Sequence, residues 1–219
     1  INTKSYPKIN ATYNKNVCKG GSVEIKVNGA DTWEWLNSGK KSNVFTDVNI
    51  TEDKEYTVKG TTEGCTTSDT FKVTMLNLPK VKINDGKDTA ICVGEPIVLR
   101  ATGATSFEWL DMYEENNSEI TKEPRETTIY AVEGTDDNNC VNRDTIIVTV
   151  NKLPEIELEY TNSVCDGSNV VITAVNNDIK YQWTAQSDYE VNSSYTIENI
   201  TSDIAGEVFG MDKNNCVNK

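Results

Sequence analysis

The 219-residue sequence predicts an all-β chain of three tandem two-sheet sandwiches arranged as a rod, the third lacking its last strand. Two observations carry this prediction. One is a repeat of seventy-odd residues, opened by Pro7, Pro79 and Pro154, with Cys18, Cys92 and Cys165, then Trp35, Trp109 and Trp183, then Cys65, Cys140 and Cys216 in near-constant register. A period this long, holding a full set of strand-like bursts, marks an array of small domains rather than a solenoid. The other is apolar alternation of period two inside every copy, with no helical period of useful length. The boundaries fall at the Leu78-Pro79 and Leu153-Pro154 joints, giving domains over 1–78, 79–153 and 154–219.

Each copy unfolds in the same order. The first strand after the leading cysteine turns Val23, Ile25 and Val27 inward, then Ile97, Leu99 and Ala101, then Val170, Ile172 and Ala174. The next places an aromatic pair on one face: Trp33 and Trp35, Phe107 and Trp109, Tyr181 and Trp183. A later strand carries Tyr56 and Val58, Tyr130 and Val132 and, with the tyrosine lost, Gly206 and Val208. The last brings in Phe71, Val73 and Met75, then Ile146, Val148 and Val150. The third copy stops at Lys219, before the matching segment. This predicts a fragment of a longer array or a sheet completed by a strand from elsewhere, with an open edge suited to strand addition. Gly, Asn and Asp clusters separate the strands as turn chemistry requires.

Domains of this size bury only about 60% of their unfolded surface and need a staple. Two cysteines per copy supply one. Six cysteines allow fifteen pairings, and the repeat reduces them to Cys18 with Cys65, Cys92 with Cys140, and Cys165 with Cys216. The alternative is three pairs of reduced, buried thiols. Paired cysteines imply an oxidising compartment and hence an exported, extracellular chain. The net charge of −13 is spread along the sequence, which excludes nucleic acid and anionic membrane surfaces as partners. No run of 18 apolar residues offers a membrane span.

Cysteine, tryptophan, cysteine across a predicted seven-strand sandwich resembles the immunoglobulin fold, with one departure. Tyr56 and Tyr130 lie nine and ten residues before the following cysteine, not two, so that cysteine has moved to the turn between the last two strands. The resemblance then implies a bond clamping one end of each sandwich. The sequence is more similar to the immunoglobulin-like and PKD-like repeats of large bacterial surface adhesins of the gliding-motility type, exported by type IX secretion. The segments that carry it are Ile91-Cys92-Val93-Gly94-Glu95, Val98 to Ala104, Phe107-Glu108-Trp109, Thr127 to Asp136, Cys140, and Asp144 to Val150 ending in Leu153-Pro154. Thr201 to Gly206 looks like the E to F corner of such domains. The resemblance spans the whole chain and implies cell-surface location, adhesive or spacer function, and O-glycosylation at Thr89 and Thr145. Asn-x-Ser/Thr triplets also stand at Asn10, Asn49, Asn116, Asn192 and Asn199.

The chain has no histidine, which removes Ser-His-Asp and Cys-His nucleophiles and histidine metal sites. No catalytic residue and no cofactor is expected. Asp136, Asp137 and Asp212 are calcium candidates, but they lack the spaced ligand pattern of a dedicated loop, and a hairpin turn explains them more simply. The tryptophans sit at the core position of their strand and are expected to pack inward rather than stack on sugars. The function expected is a non-enzymatic adhesin segment, a stapled stalk whose first partners are neighbouring repeats. The alternatives are a glycan- or protein-binding module and accessory domains of a secreted hydrolase. The loop Asp111, Met112, Tyr113, Glu114, Glu115 is the candidate binding surface, because the segment between the tryptophan and the next tyrosine is where the copies differ.

Overall fold

The computed structural model describes residues 2–110, 117–176, 178–183, 189 and 193–219. The first copy contributes β1 (Asn10–Thr12), β2 (Asn16–Cys18), β3 (Val23–Asn28), β4 (Thr32–Trp35), β5 (Val44–Asp47), β6 (Lys54–Thr62) and β7 (Cys65–Leu76). The second contributes β8 (Lys82–Ile83), β9 (Thr89–Cys92), β10 (Ile97–Thr102), β11 (Ser106–Trp109), β12 (Glu119–Lys122), β13 (Thr128–Thr135) and β14 (Val141–Asn151). The third contributes β15 (Leu158–Glu159), β16 (Ser168–Ala174), β17 (Lys180–Gln182), β18 (Ser194–Ile200), β19 (Phe209–Met211) and β20 (Val217–Asn218).

Every copy supplies two sheets. In the first they are β1-β3-β5 and β2-β7-β6-β4; in the second, β8-β10-β12 and β9-β14-β13-β11. The opening segment is split: its first half pairs antiparallel with the next strand, Asn10 opposite Asn28, and its second half crosses to pair parallel with the last, Asn16 opposite Thr74 and Cys18 opposite Leu76. Two sheets, antiparallel apart from that one parallel pairing, make an immunoglobulin-like sandwich. The third copy has two three-stranded sheets, β15-β16-β18 and β17-β19-β20, with no counterpart of the parallel strands β2 and β9 among the described residues. Of its last strand it holds only the opening, the short β20, paired with β19 through Gly210 opposite Asn218, and none of the segment that matches Asp69 to Met75 or Asp144 to Val150, as the sequence predicts.

The alternation places the predicted faces inward. Val23, Ile25, Val27, Trp35, Tyr56, Val58, Phe71 and Val73 form one core, and Ile97, Leu99, Ala101, Trp109, Tyr130, Val132, Ile146 and Val148 are buried in the second copy. Both indoles satisfy their N–H within hydrogen-bonding distance, Trp35 to the Ser42 carbonyl at 2.9 Å and Trp109 to that of Asn117 at 2.8 Å. The third copy is less complete. Among its described apolar residues only Val170, Ala174, Ile179 and Tyr181, with Cys216, are buried. Trp183 lies outside the strand, partly buried against Tyr181 and stacked on Tyr195, and the predicted Gly206–Val208 strand begins instead at Phe209. The cause is packing: Phe71, Val73, Ile146 and Val148 close the first two cores, and β20 carries no counterpart to them.

Contacts divide the chain into two compact units, 1–82 with 102–117 and 132–144, and 83–101 with 118–131 and 145–219. The first unit holds both sheets of the first copy, and the second unit both sheets of the third. Backbone conformation is demanding at Gly29 and Gly103, which occupy the same place in successive copies. Their φ values are +102° and +89°, and a Cβ at either would stand 1.9 Å from a backbone carbonyl oxygen, Lys8 or Lys80. Only glycine fits there.

Tyrosine burial makes the fold sensitive to alkali. Burial pushes the Tyr56 phenol far above its usual range, helped by the hydroxyl's 2.7 Å donation to Asp47 Oδ2 and by that carboxylate's charge. Burial also raises Tyr130 and Tyr181. A folded pKa above the unfolded value of about 10 gives a stabilisation that is whole below pH ~10 and lost as pH rises toward the folded value. In a Cys65→Ser/Cys165→Ser background, which prevents disulfide exchange, urea midpoints should hold steady from pH 7 to about 9.5 and fall above pH ~10. Tyr56→Phe should lower stability at pH 7 by about 1 kcal/mol while making that alkaline fall shallower.

Candidate functional site: cysteine bridges between copies

The bonds actually formed are Cys18–Cys140 and Cys92–Cys216, each with a Cα separation of 5.5 Å. Cys65 and Cys165 are free. The within-copy pairs Cys18 with Cys65, Cys92 with Cys140 and Cys165 with Cys216 are therefore corrected, and so is the clamp on a single sandwich end. Each bond joins the leading cysteine of one copy to the trailing cysteine of the next.

Strand direction explains the correction. Cys18 ends β2, which runs parallel to β7 and pairs with Leu76 at its far end. Cys65 is the first residue of that same β7. Eleven residues of extended strand separate the two ends by roughly 36 Å, whereas a disulfide needs Cα atoms within about 7 Å. The second copy repeats the register, with Cys92 opposite Asn151 and Cys140 just before β14. A leading cysteine thus sits where the chain leaves its copy, and a trailing cysteine sits where the chain enters the next. The bond crosses the joint.

Local sequence builds both halves of the bridge. Leading cysteines open a tight turn with glycine at its third position: Gly20 at φ +83° and Gly94 at φ +88°. The turns close by amide donation to the cysteine carbonyl, from Gly21 at 2.8 Å and Glu95 at 3.0 Å. Glu95 Oε2 also accepts from the Cys92 amide at 2.8 Å. Trailing cysteines follow an aspartate turn. Asp136 Oδ1 accepts from the amides of Asn138 and Cys140, both at 2.9 Å, and Asp212 Oδ1 accepts from those of Asn214 at 2.9 Å and Cys216 at 2.8 Å. Asn139 and Asn215 each take φ +62° to complete the reversal. Two residues beyond the cysteine, Asn142 and Asn218 donate their side-chain amides to the carbonyls of Pro79 and Pro154 at 2.9 Å. The joint proline is thereby held next to the bridge.

This accounts for the calcium candidates. The facing oxygens of Asp136 and Asp212 are committed to backbone amides, and Asp137 Oδ1 accepts from the Thr105 hydroxyl at 2.8 Å. Among the described residues no group of three or more acidic, cysteine or histidine side chains converges as a metal site. Asp136→Ala should cost about 2 kcal/mol by freeing two amides, and 5 mM calcium should leave the melting temperatures of both proteins unchanged. A rise of several degrees with calcium, lost in the variant, would reverse that assignment.

The loop Asp111, Met112, Tyr113, Glu114, Glu115 lies outside the described residues. One open groove of about 990 Å³ runs through the third copy, lined by Leu158, Tyr160, Val170, Trp183, Tyr195 and Val208 among others. Val170, Trp183 and Val208 hold the positions of Val23, Trp35 and Val58 in the first copy, so the groove is a thinly closed sandwich interior.

No protein-family model and no curated protein sequence matches the chain. Among solved structures it is similar to domains A168–A170 of titin, at 13% identity over 97% of this chain and 95% of that one, TM-score 0.33. It is also similar to three N-terminal domains of the bacteriophage RB49 highly immunogenic outer capsid protein, at 14% identity over 94% and 90%, TM-score 0.37. A third is extracellular domains 3–5 of Drosophila OTK, at 9% identity over 99% and 95%, TM-score 0.34. The fold assignment rests on strand order and register, not on these likenesses.

Proposed function

We propose that this chain is a non-enzymatic segment of a large secreted cell-surface adhesin, in which immunoglobulin-like domains over 1–78, 79–153 and 154–219 form a covalently reinforced stalk. The observation that carries the reading is the direction of the two disulfides. A bond inside one domain secures that domain alone; a bond from each copy to the next secures the joint, which is what a load-bearing array needs. By loop-closure entropy, each closed stretch of 122 or 124 residues contributes about 5 kcal/mol. Disulfides persist in oxidising surroundings, which favours an extracellular location. Among the described residues no helix is long and apolar enough to cross a membrane. The sequence resemblance adds the bacterial surface, PKD-like relatives, gliding motility and type IX export to the proposal. Its partners are neighbouring repeats, with a surface glycan or protein ligand bound by other segments of the adhesin.

An array of glycans and surface proteins probed with the oxidised 219-residue chain tests it. The stalk reading expects no saturable binding. Binding that is saturable and abolished by substituting residues 111–115 would replace it with a binding module.

A further inference from the structure

The two cysteines left free are not leftovers of a failed pairing; they hold the positions that bond in the other copies. Cys165 is a leading cysteine, and its backbone frame matches those of Cys18 and Cys92. Gly167 takes φ +76°, and the Ser168 amide donates to the Cys165 carbonyl at 3.0 Å. The Gly167 amide reaches Ile200 at 2.8 Å, as the Gly20 amide reaches Ile50 at 2.7 Å. The thiol is exposed. Cys65 is a trailing cysteine, placed at the start of β7 next to the hairpin turn as Cys140 and Cys216 stand before β14 and β20. Its turn is one residue shorter, Glu63-Gly64 with φ values of +51° and +87°, and the cysteine remains partly accessible.

From this internal rule we infer that Cys165 and Cys65 are the two open ends of a continuous disulfide relay: Cys165 bonds the trailing cysteine of a further copy of this repeat, and Cys65 bonds the leading cysteine of another. The rule is the one obeyed twice within the chain, at Cys18–Cys140 and Cys92–Cys216. It stands without the adhesin reading, since any array built from these copies would obey it. The partner's chemistry is the same whether the further copy belongs to the same polypeptide or to a second one.

Bond formation requires a disulfide oxidant, for which glutathione disulfide serves as the probe. The Cys165 thiolate attacks one glutathione sulfur and expels the first glutathione thiolate. The partner thiolate then attacks the Cys165 sulfur of the mixed disulfide and expels the second. Two protein thiols lose two electrons and two protons, and the oxidant becomes two glutathione thiols.

The test mixes Cys65→Ser and Cys165→Ser chains, each with its internal bonds formed, under glutathione disulfide. Each variant alone should remain monomeric on non-reducing gels. The mixture should give at least tenfold more dimer than either variant, carrying a Cys65–Cys165 peptide, and the unsubstituted chain should give a ladder. Dimers of either variant alone equal to those of the mixture, or no dimer in the mixture, would overturn the inference. The protein recovered unreduced from its own cells separates the sources. A bonded Cys165 in a species of single-chain mass places the partner copy in the same polypeptide, and one in multiples of that mass places it in another chain. Cys165 found as an alkylatable thiol there would overturn the inference.

Discussion

Pulled from its two ends, the oxidised chain should extend to no more than roughly 250 Å, serine at Cys18 or at Cys92 alone should raise that limit to roughly 340 Å, and the fully reduced chain should reach roughly 770 Å. The lengths follow from ~3.5 Å per extended residue and from which covalent route bears the load. With Cys18–Cys140 intact, force enters at residue 18 and continues from residue 140; with Cys92–Cys216 intact, it leaves the backbone at 92 and rejoins it at 216. With one bond alone, either route carries just under 100 residues of extensible chain, about 340 Å; with both, the taut route runs 1–18, back from 140 to 92 and on from 216, about 70 residues or roughly 250 Å. Because the two closed stretches overlap, losing either bond lengthens the chain by only about 26 residues, roughly 90 Å, and only the loss of both releases the full length. Within-copy bonds behave otherwise: losing any one of them would lengthen the chain by about 48 residues, or roughly 170 Å. Force–extension curves of the Cys18→Ser and Cys92→Ser chains with and without a reductant therefore separate the two arrangements. A step near 170 Å in either single variant would contradict the bridge between copies.

Why the sequence pointed to the right sandwich and the wrong bonds is visible in particular residues. Alternation at Val23, Ile25 and Val27, and at Phe71 and Val73, depends only on which face is buried, and a period of two reports that directly. Moving Cys65 and Cys140 out of the core strand was also legible, from their distance to Tyr56 and Tyr130. What the repeat could not report was strand direction. Equal spacing says that every copy places its cysteines alike, and that is satisfied equally by bonds within copies and by bonds shifted one copy along. The deciding feature is the parallel pairing of Cys18 with Leu76, which turns β2 toward the far end of β7. A signal did exist: eleven residues separate Cys65 from Leu76 and Cys140 from Asn151, too long a strand for its two ends to meet. The aspartate turn was likewise visible as Asp136 to Asn139, and its match to Asp212 to Asn215 at every position but Lys213 marks it as the frame of a trailing cysteine.

Tryptophan substitution should separate closed copies from the open one. Trp35 and Trp109 are 0% and 1% exposed and occupy the centres of their sandwiches. Trp35 packs at ring-centroid distances of 4.9 Å from Phe45 and 6.4 Å from Phe71, and its N–H reaches the Ser42 carbonyl. Trp35→Ala removes that contact surface and leaves a cavity that β-strands held by register cannot collapse to fill, a loss of about 3–5 kcal/mol. Trp109→Ala should cost as much, because the same position is buried to the same depth and its N–H is met by Asn117. Trp183 differs. It stacks on Tyr195 with centroids 5.9 Å apart at the side of an open groove, so Trp183→Ala gives up part of a surface already in contact with water and should cost about 1–2 kcal/mol. Urea denaturation of the three variants, with the tryptophan fluorescence that remains as probe, reads the contrast directly. Equal losses at all three positions would mean that the third copy closes its core in solution as fully as the others, and the groove would no longer distinguish it.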